Sequence, residues 1–165
     1  MSKSIILTNE EIAHKTRRIA YQIYENNSNE KEIILAGIAK NGFLFAEKIQ
    51  EILTEISPIK IKLCEVFIDK KNPLDSVSTS ITADEYKNKS LILIDDVLNS
   101  GSTLIFAIKH FLNVPLKQFK TAVLVNRNHK KYPVKADFKG ISLSTSIQEH
   151  ITVSFTKKET IAYIE

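Results

Sequence analysis

The sequence is poor in the residues that mark flexible or disulfide-bonded chains. Its 165 residues include 4 glycines, whereas average usage of about 7% would give roughly 12. Scarce glycine argues against collagen-like, low-complexity and linker-rich chains. The single cysteine, Cys64, excludes a disulfide framework and any zinc site built from several cysteines.

Long hydrophobic runs are missing as well. No apolar run reaches the roughly 20 residues that a membrane span needs, and residues 1–8 lack the pattern of a signal peptide. A lone cysteine fits a reducing compartment, so we expect a cytoplasmic protein. The net charge of +4 permits binding to phosphates or nucleic acid without requiring it.

What is present is the composition of an ordinary globular protein, in which helical and strand patterns alternate. Hydrophobic residues make up 43% and charged residues 25%, and the length predicts one domain, residues 1–165. Apolar spacing predicts helices over residues 9–26, between Gly42 and Pro58, and over residues 104–112. Apolar runs predict strands at 33–36, 59–68, 91–94 and 121–125. The alternation predicts an α/β fold with a mostly parallel sheet flanked by helices.

Two further segments stand apart from this alternation. The last 40 or so residues contain short β-like pieces such as Ile151–Val153, which predict a small β element beside the carboxyl edge of the sheet. Residues 69–80 are polar and contain Pro73, so they predict a loop of roughly 12 residues. A loop of that length in a compact domain is usually either functional or disordered.

The residues after the 91–94 strand carry the clearest chemical signal. Asp95 and Asp96 bring two carboxylates to the strand end, and Asn99, Ser100, Gly101, Ser102 and Thr103 then open a helix. Unpaired N–H groups and the positive end of the helix dipole favour a phosphate there. The carboxylates suit ribose hydroxyls or a hydrated Mg²⁺. Taken singly, these features would also fit an aspartate turn with a serine or threonine helix cap.

Residues 91–103 as a whole resemble the phosphoribosyl pyrophosphate binding motif of the type I phosphoribosyltransferases. The motif joins a hydrophobic strand, two acids, two aliphatic residues and a small-residue loop with Gly-x-Thr. The segments Ala122–His129 and Tyr132–Gly140 are similar to the bacterial uracil phosphoribosyltransferase and pyrimidine-operon attenuation regulator family. The resemblance spans nearly the whole chain apart from residues 69–85.

The resemblance implies a role for each segment. Asp95 and Asp96 would hold the ribose hydroxyls, directly or through Mg²⁺ and water, and residues 99–103 would bind the 5′-phosphate. The pyrophosphate loop, which in this family often contains a cis non-proline peptide, would comprise Ala39, Lys40, Asn41 and Gly42. Val134 and Lys135 would contact the nucleobase, and residues 69–80 would form a mobile lid.

The implied activity is transfer of the 5-phosphoribosyl group from phosphoribosyl pyrophosphate to a nucleobase, with uracil favoured and Mg²⁺ required. Asn99 stands where 6-oxopurine enzymes carry an aspartate, and an amide cannot act as a general base, which disfavours hypoxanthine and guanine. The family's arginines are absent from both phosphate-binding loops. The resemblance also implies a homo-oligomer, a dimer or tetramer.

Several alternatives stay open at this stage. The chain could be a nucleotide-sensing RNA-binding regulator with little catalysis, or the same scaffold could take another base. RNA binding would use the cations His14, Lys15, Arg17 and Arg18 on the first helix, although such a run is most often a solvated face. Residues 37–42 have glycine spacing of a P-loop, but Phe43 replaces its lysine, and they could form a plain strand–helix turn.

Overall fold

The computed structural model describes residues 2–165, which form nine strands and four helices. The strands are β1 (Ser4–Leu7), β2 (Glu32–Ile38), β3 (Lys60–Phe67), β4 (Ser78–Thr79), β5 (Ser90–Leu98), β6 (Gln118–Arg127), β7 (Phe138–Leu143), β8 (Ile151–Phe155) and β9 (Thr160–Ile164). The helices are α1 (Asn9–Asn26), α2 (Asn41–Ile56), α3 (Ala83–Tyr86) and α4 (Ser102–Phe111).

The main sheet has six strands in the order β4-β3-β2-β5-β6-β7. All neighbours pair in parallel except β4, which runs antiparallel to β3. The central strands are continuous apolar runs because both faces of the sheet are covered. One face packs on α1 and α2, and the other packs on α3 and α4. The predicted α/β fold with a mostly parallel, helix-flanked sheet is confirmed.

Helix α1 shows why its bounds were predictable. Thr8 caps its first turn and Glu11 reaches back to the Thr8 backbone, which is a reciprocal capping box. The residues on one face, including Ile12, Ile19 and Ile23, are buried. The capping signal and the apolar stripe agree, so the predicted span of residues 9–26 matches the observed one.

A second, three-stranded antiparallel sheet has the order β1-β9-β8, and we call it the hood sheet. The C-terminal β pieces were predicted, but β1 was not. Its four residues, Ser4–Leu7, are too few to show a period, and only Leu7 is buried. The loop predicted over residues 69–80 also contains the two-residue strand β4. Within residues 2–165, no helix is both long and apolar enough to cross a membrane.

Candidate active site

Three chain segments meet at the carboxyl edge of the main sheet. The turn into α2 follows β2, the Asp95–Asp96 pair lies near the end of β5 before the turn into α4, and residues 127–131 follow β6. Strands β2, β5 and β6 are parallel neighbours, so their carboxyl ends lie side by side. This edge is where open α/β sheets bind ligands.

The carboxylate pair is buried. Asp95 and Asp96 are 3% and 8% exposed, and Asp95 Oδ1 accepts a hydrogen bond from the Asp96 N–H at 2.8 Å. Burial, and then the neighbouring Asp96 charge, raise the pKa of Asp95 well above its usual value, while the Lys70 ammonium opposes the rise. The protein therefore holds a carboxylate where a cation or hydroxyl donors would stabilise its charge.

Lys70 from the predicted lid supplies a positive charge to this pair. Its Nζ lies 3.4 Å from Asp95 Oδ1 and 4.0 Å from Asp96 Oδ1. The lysine side chain is 46% exposed, so this ion pair is partly screened by solvent. The 69–80 segment thus reaches the carboxylates and contributes to the site.

The five residues predicted to bind a 5′-phosphate lie together. Asn99, Ser100, Gly101, Ser102 and Thr103 line a small cavity of about 70 Å³ with Lys70 and Asp95. Gly101 has a φ of +87°, a left-handed conformation that glycine adopts without steric cost. The first intrahelical bond of α4 runs from the Ile105 N–H to the Gly101 carbonyl. The Ser102 N–H donates to Ser100 Oγ at 3.2 Å, which leaves the Thr103 and Leu104 N–H groups available to an anion.

The predicted pyrophosphate loop forms the start of α2. The Ala39–Lys40 peptide bond is cis, and no side chain caps the helix N-terminus. Gly42 packs so closely on β5 that a Cβ there would lie 2.6 Å from the Ile94 carbonyl oxygen and 3.0 Å from Asp95 Cα. A larger residue would push the loop away from the carboxylates. Glycine is therefore required at this position because the loop backbone lies so close to β5.

A larger cavity of about 780 Å³ lies beside the 5′-phosphate loop. Its walls are Asn99 and Ser100, residues 127–131, and Ile147, His150 and Ile151 near the hood sheet. Neither residue predicted to contact the base is among those lining it. Val134 lies against Gly101, where an added Cβ would come within 2.5 Å of its Cγ2. The Lys135 side chain is 82% exposed, and its Nζ lies 3.5 Å from Asp137 Oδ1. A base-contacting role for these two stays a prediction.

Arg127 is a site residue that the sequence reasoning did not single out. It is 7% exposed, and its guanidinium donates to Asn99 Oδ1, Thr145 Oγ1 and the carbonyls of Ser146 and Glu149 at 2.8–3.1 Å. These bonds join the 5′-phosphate loop to the segment that leads into β8. Its partners lie 18 to 28 residues away in sequence, so no local motif reveals the role.

The cations of α1 are partly engaged within the protein. Arg18 donates to the carbonyls of Lys139 and Gly140. Arg17 lies 3.8 Å from Glu55 and over the Tyr21 ring. Across residues 2–165, no group of three or more His, Cys, Asp or Glu side chains comes together.

Comparison with known proteins shows which family shares this sequence and architecture. The family model described as the phosphoribosyl transferase domain matches residues 2–159. The chain belongs to the phosphoribosyltransferase family. The bifunctional protein PyrR of Streptococcus mutans is 36% identical over 145 residues, covering 85% of this chain and 81% of that protein. The PyrR of Clostridium acetobutylicum is 36% identical over 160 residues, covering 92% and 90%. The resemblance predicted from the sequence is confirmed.

Solved phosphoribosyltransferase structures share the fold. The hypoxanthine phosphoribosyltransferase of Trypanosoma cruzi has a TM-score of 0.77 at 14% identity, covering 96% of this chain and 95% of that one. A hypoxanthine-guanine phosphoribosyltransferase of Bacillus anthracis has a TM-score of 0.72 at 20% identity, covering 87% and 84%. At these identities the likeness concerns the fold alone.

Proposed function

We propose that this phosphoribosyltransferase transfers the 5-phosphoribosyl group from phosphoribosyl pyrophosphate to uracil in the cytoplasm, with residues 1–165 acting as one domain. One observation carries the proposal. The buried Asp95–Asp96 pair lies between two uncapped helix starts, residues 39–42 and 99–103, on neighbouring parallel strands. Two anion sites flanking a carboxylate pair suit a ribose with a phosphate at either end.

Each end of the substrate has its own partners. The 5′-phosphate would accept hydrogen bonds from the first turn of α4 and from the Ser100, Ser102 and Thr103 hydroxyls. The pyrophosphate would lie on the turn before α2, where Lys40 is exposed and adds a point charge. The ribose hydroxyls would donate to Asp95 and Asp96, which fixes the sugar between the two anion sites.

The reaction breaks the bond between ribose C1 and pyrophosphate and forms a bond from C1 to a ring nitrogen of uracil. That nitrogen gives up its proton, and pyrophosphate leaves with the bonding electron pair. The oxocarbenium-like state at C1 needs little covalent help, so positioning and electrostatics supply most of the acceleration. The 69–80 lid would exclude water, which competes with the base for C1.

Mg²⁺ fits the carboxylate pair as a substrate-borne ion. Asp95 and Asp96 offer oxygen ligands, and Mg²⁺ usually combines one or two carboxylates with substrate phosphates and waters. When bound, the ion would offset charge on the departing pyrophosphate. Lys70 lies on the same carboxylates, so it would have to move away from them when substrate arrives.

The choice of uracil rests on two supports. The relatives at 36% identity are named bifunctional protein PyrR, and the resemblance of residues 122–129 and 132–140 to the uracil phosphoribosyltransferase and pyrimidine-operon attenuation regulator family implies uracil. Asn99 Oδ1 accepts from the Arg127 guanidinium at 3.0 Å, so this amide is fixed at the cavity wall and offers no general base for a purine ring.

An assay of pyrophosphate release tests the proposal. The protein is incubated with phosphoribosyl pyrophosphate, Mg²⁺ and uracil, orotate, xanthine, guanine, hypoxanthine or adenine in turn, and the nucleotide is identified by mass. We expect kcat/KM to be highest for uracil, with uridine monophosphate as product. Release no faster than the base-free control for every base would overturn the transferase proposal, and preference for a purine would overturn the choice of uracil.

A second function, sensing nucleotides while binding RNA, is favoured by the name "bifunctional" on the relatives. A gel shift with pyrimidine-operon leader RNA, with and without uridine monophosphate, tests it. Only weak, salt-sensitive binding would reject it. We also propose a homo-oligomer, as the family resemblance implies, in which exposed apolar side chains such as Ile5 or Phe67 would become buried. Light scattering that gives the monomer mass would reject this.

A further inference from the structure

The side chain of Asn41 links three parts of the molecule. Asn41 is the first residue of α2 and belongs to the pyrophosphate loop. Its Nδ2 donates one hydrogen bond to Asp96 Oδ2 at 3.0 Å and another to the Val153 carbonyl at 2.9 Å. An amide NH₂ has two hydrogens, so both are used. Val153 lies in strand β8 of the hood sheet.

The hydrogen bond from Asn41 to Val153 connects the hood sheet to the pyrophosphate loop. Strand β8 pairs with β9 and with no strand of the main sheet. Among residues 2–165, the Asn41 amide makes the one side-chain hydrogen bond to β8. Ile151, two residues before Val153, lines the 780 Å³ cavity beside the 5′-phosphate loop. A shift of β8 would therefore change the wall of that cavity.

The bond also holds a carboxylate of the candidate active site. Asp96 Oδ1 accepts from the Val97 N–H at 2.8 Å, so Asn41 fixes the second oxygen. With both oxygens engaged by short bonds, the Asp96 carboxylate has a set orientation before any ligand arrives.

We propose that Asn41 is a positioning residue that couples the pyrophosphate loop and Asp96 to the wall of the 780 Å³ cavity, where the nucleobase would lie and which we call the base cavity. It does not line that cavity itself. It holds β8 at a fixed distance from the carboxylate pair, so that the two halves of the site are aligned. The kinetic part of this inference rests on the proposed phosphoribosyl transfer, whereas the structural part does not.

The test compares Asn41→Ala and Asn41→Asp with the wild-type protein. Asn41→Ala removes both bonds, and we expect the KM for uracil to rise roughly tenfold. The Kd for phosphoribosyl pyrophosphate without base should rise by less than this, because the backbone of the loop remains and Asp96 Oδ1 still accepts from the Val97 N–H. Asn41→Asp also loses both donors, and it brings a second carboxylate to within hydrogen-bond distance of Asp96. Its kcat/KM for uracil should therefore fall further than that of Asn41→Ala.

Asn9→Ala is the matched control, because Asn9 Oδ1 accepts from the Thr160 N–H at 2.8 Å and ties the middle strand of the hood sheet, β9, to α1. We expect it to lower Tm without changing the KM for uracil. An Asn41→Ala variant that lowers Tm but leaves that KM within twofold of wild type would overturn the kinetic part. If Asn41→Ala does not fold, Asn41→Ser, which keeps a small polar residue there, takes its place.

Hydrogen–deuterium exchange of the ligand-free protein tests the coupling even if no base is a substrate. We expect the amides of residues 151–155 to exchange roughly tenfold faster in Asn41→Ala than in the wild type, and to be less affected in Asn9→Ala. Unchanged exchange in this strand would overturn the inference. A failed base assay with accelerated exchange would instead count against the proposed function alone.

Discussion

The two halves of the candidate active site are built in different ways. The phosphoribosyl half consists of Asp95, Asp96 and the turns at 39–42 and 99–103, which lie at the ends of two neighbouring strands. The half that we propose for the base is the cavity beside the hood sheet, which is lined by residues 127–131 and by Ile147, His150 and Ile151. Its walls come from segments about 20 residues or more apart in sequence, held by Arg127 and Asn41.

This difference teaches which part of the function is robust. The phosphoribosyl half depends on backbone N–H groups and on a short local sequence, so it follows once the sheet forms. The base half depends on a few long-range hydrogen bonds, each of which one substitution can remove. We therefore expect loss of the Asp95 and Asp96 carboxylates to abolish transfer, and loss of the Arg127 or Asn41 hydrogen bonds to alter the use of the base.

The largest effect is expected for the double substitution Asp95→Asn with Asp96→Asn. Without the carboxylates the ribose and any bound Mg²⁺ lose their anionic partners, so kcat/KM should fall by roughly a thousandfold or more. The measurement is pyrophosphate release with uracil, and circular dichroism checks that the fold is intact. Full activity in a folded double variant would contradict the mechanism.

A smaller but still large effect is expected for Gly42→Ala. The added Cβ would lie 2.6 Å from the Ile94 carbonyl oxygen, so the start of α2 must move away from β5. The affinity for pyrophosphate should weaken, so that its Kd rises by roughly 10- to 100-fold. Calorimetric titration with pyrophosphate and Mg²⁺ checks this. Equal affinities in Gly42→Ala and wild type would sink this account of the loop.

The next effect concerns the base half. Arg127→Lys keeps the charge but replaces a planar fork that makes four hydrogen bonds with a single ammonium. We expect the KM for uracil to rise roughly tenfold. Lys139→Arg, an exposed cation at the start of β7, is the conservative control. A KM for uracil that is the same in Arg127→Lys and wild type would show that the hydrogen bonds of Arg127 do not shape the base cavity.

A stability effect with a defined sign is expected for Asp95→Asn. The pKa of Asp95 is raised in the folded protein, so the folded state binds its proton more tightly than the unfolded state. The contribution of Asp95 to stability then falls as pH rises from the usual aspartate value of about 3.9 through the raised pKa.

Removing that carboxyl should therefore raise Tm at pH 7, and the gain should shrink toward pH 3, where both states are protonated. Thermal unfolding of the two proteins at both pH values is the measurement. A variant that is less stable than wild type at pH 7 would show that Lys70 and the surrounding N–H groups outweigh the burial of the charge.

The smallest effect is expected for Ile147→Ser. Ile147 is 86% exposed and lines the base cavity, so it has little packing to lose in the free protein. Loss of its apolar contact should raise the KM for uracil by less than about fivefold. Leu112→Ser, also exposed and at the end of α4, should leave that KM unchanged. A greater effect from the Leu112 change would remove Ile147 from the base half.

Much of the fold was predictable from local patterns. The α1 stripe with its Thr8 cap, and the apolar runs that became β2, β5 and β6, carry their structure in adjacent residues. Strand β1 was missed because four residues show no period and its partner β9 lies at the other end of the chain. Pairing over that distance has no local signature.

The site likewise has parts that local sequence predicts and parts that depend on long-range contacts. The carboxylate pair and the 99–103 turn follow directly from a strand and a helix start, so their contact with one another was predictable. Lys135 was assigned to the base, yet its side chain is exposed and paired with Asp137. Arg127 and Asn41 act through partners on other elements, and those partners are defined only once the hood sheet packs on the main sheet.

The most direct test of the two-half description is the calorimetric Kd of phosphoribosyl pyrophosphate with Mg²⁺, measured without base. We predict saturable one-to-one binding by the wild type, an affinity within about threefold of it in Arg127→Lys, and no measurable binding by the Asp95→Asn/Asp96→Asn variant. Undiminished binding by the double Asp variant, or a loss in Arg127→Lys as large as in that variant, would contradict the account.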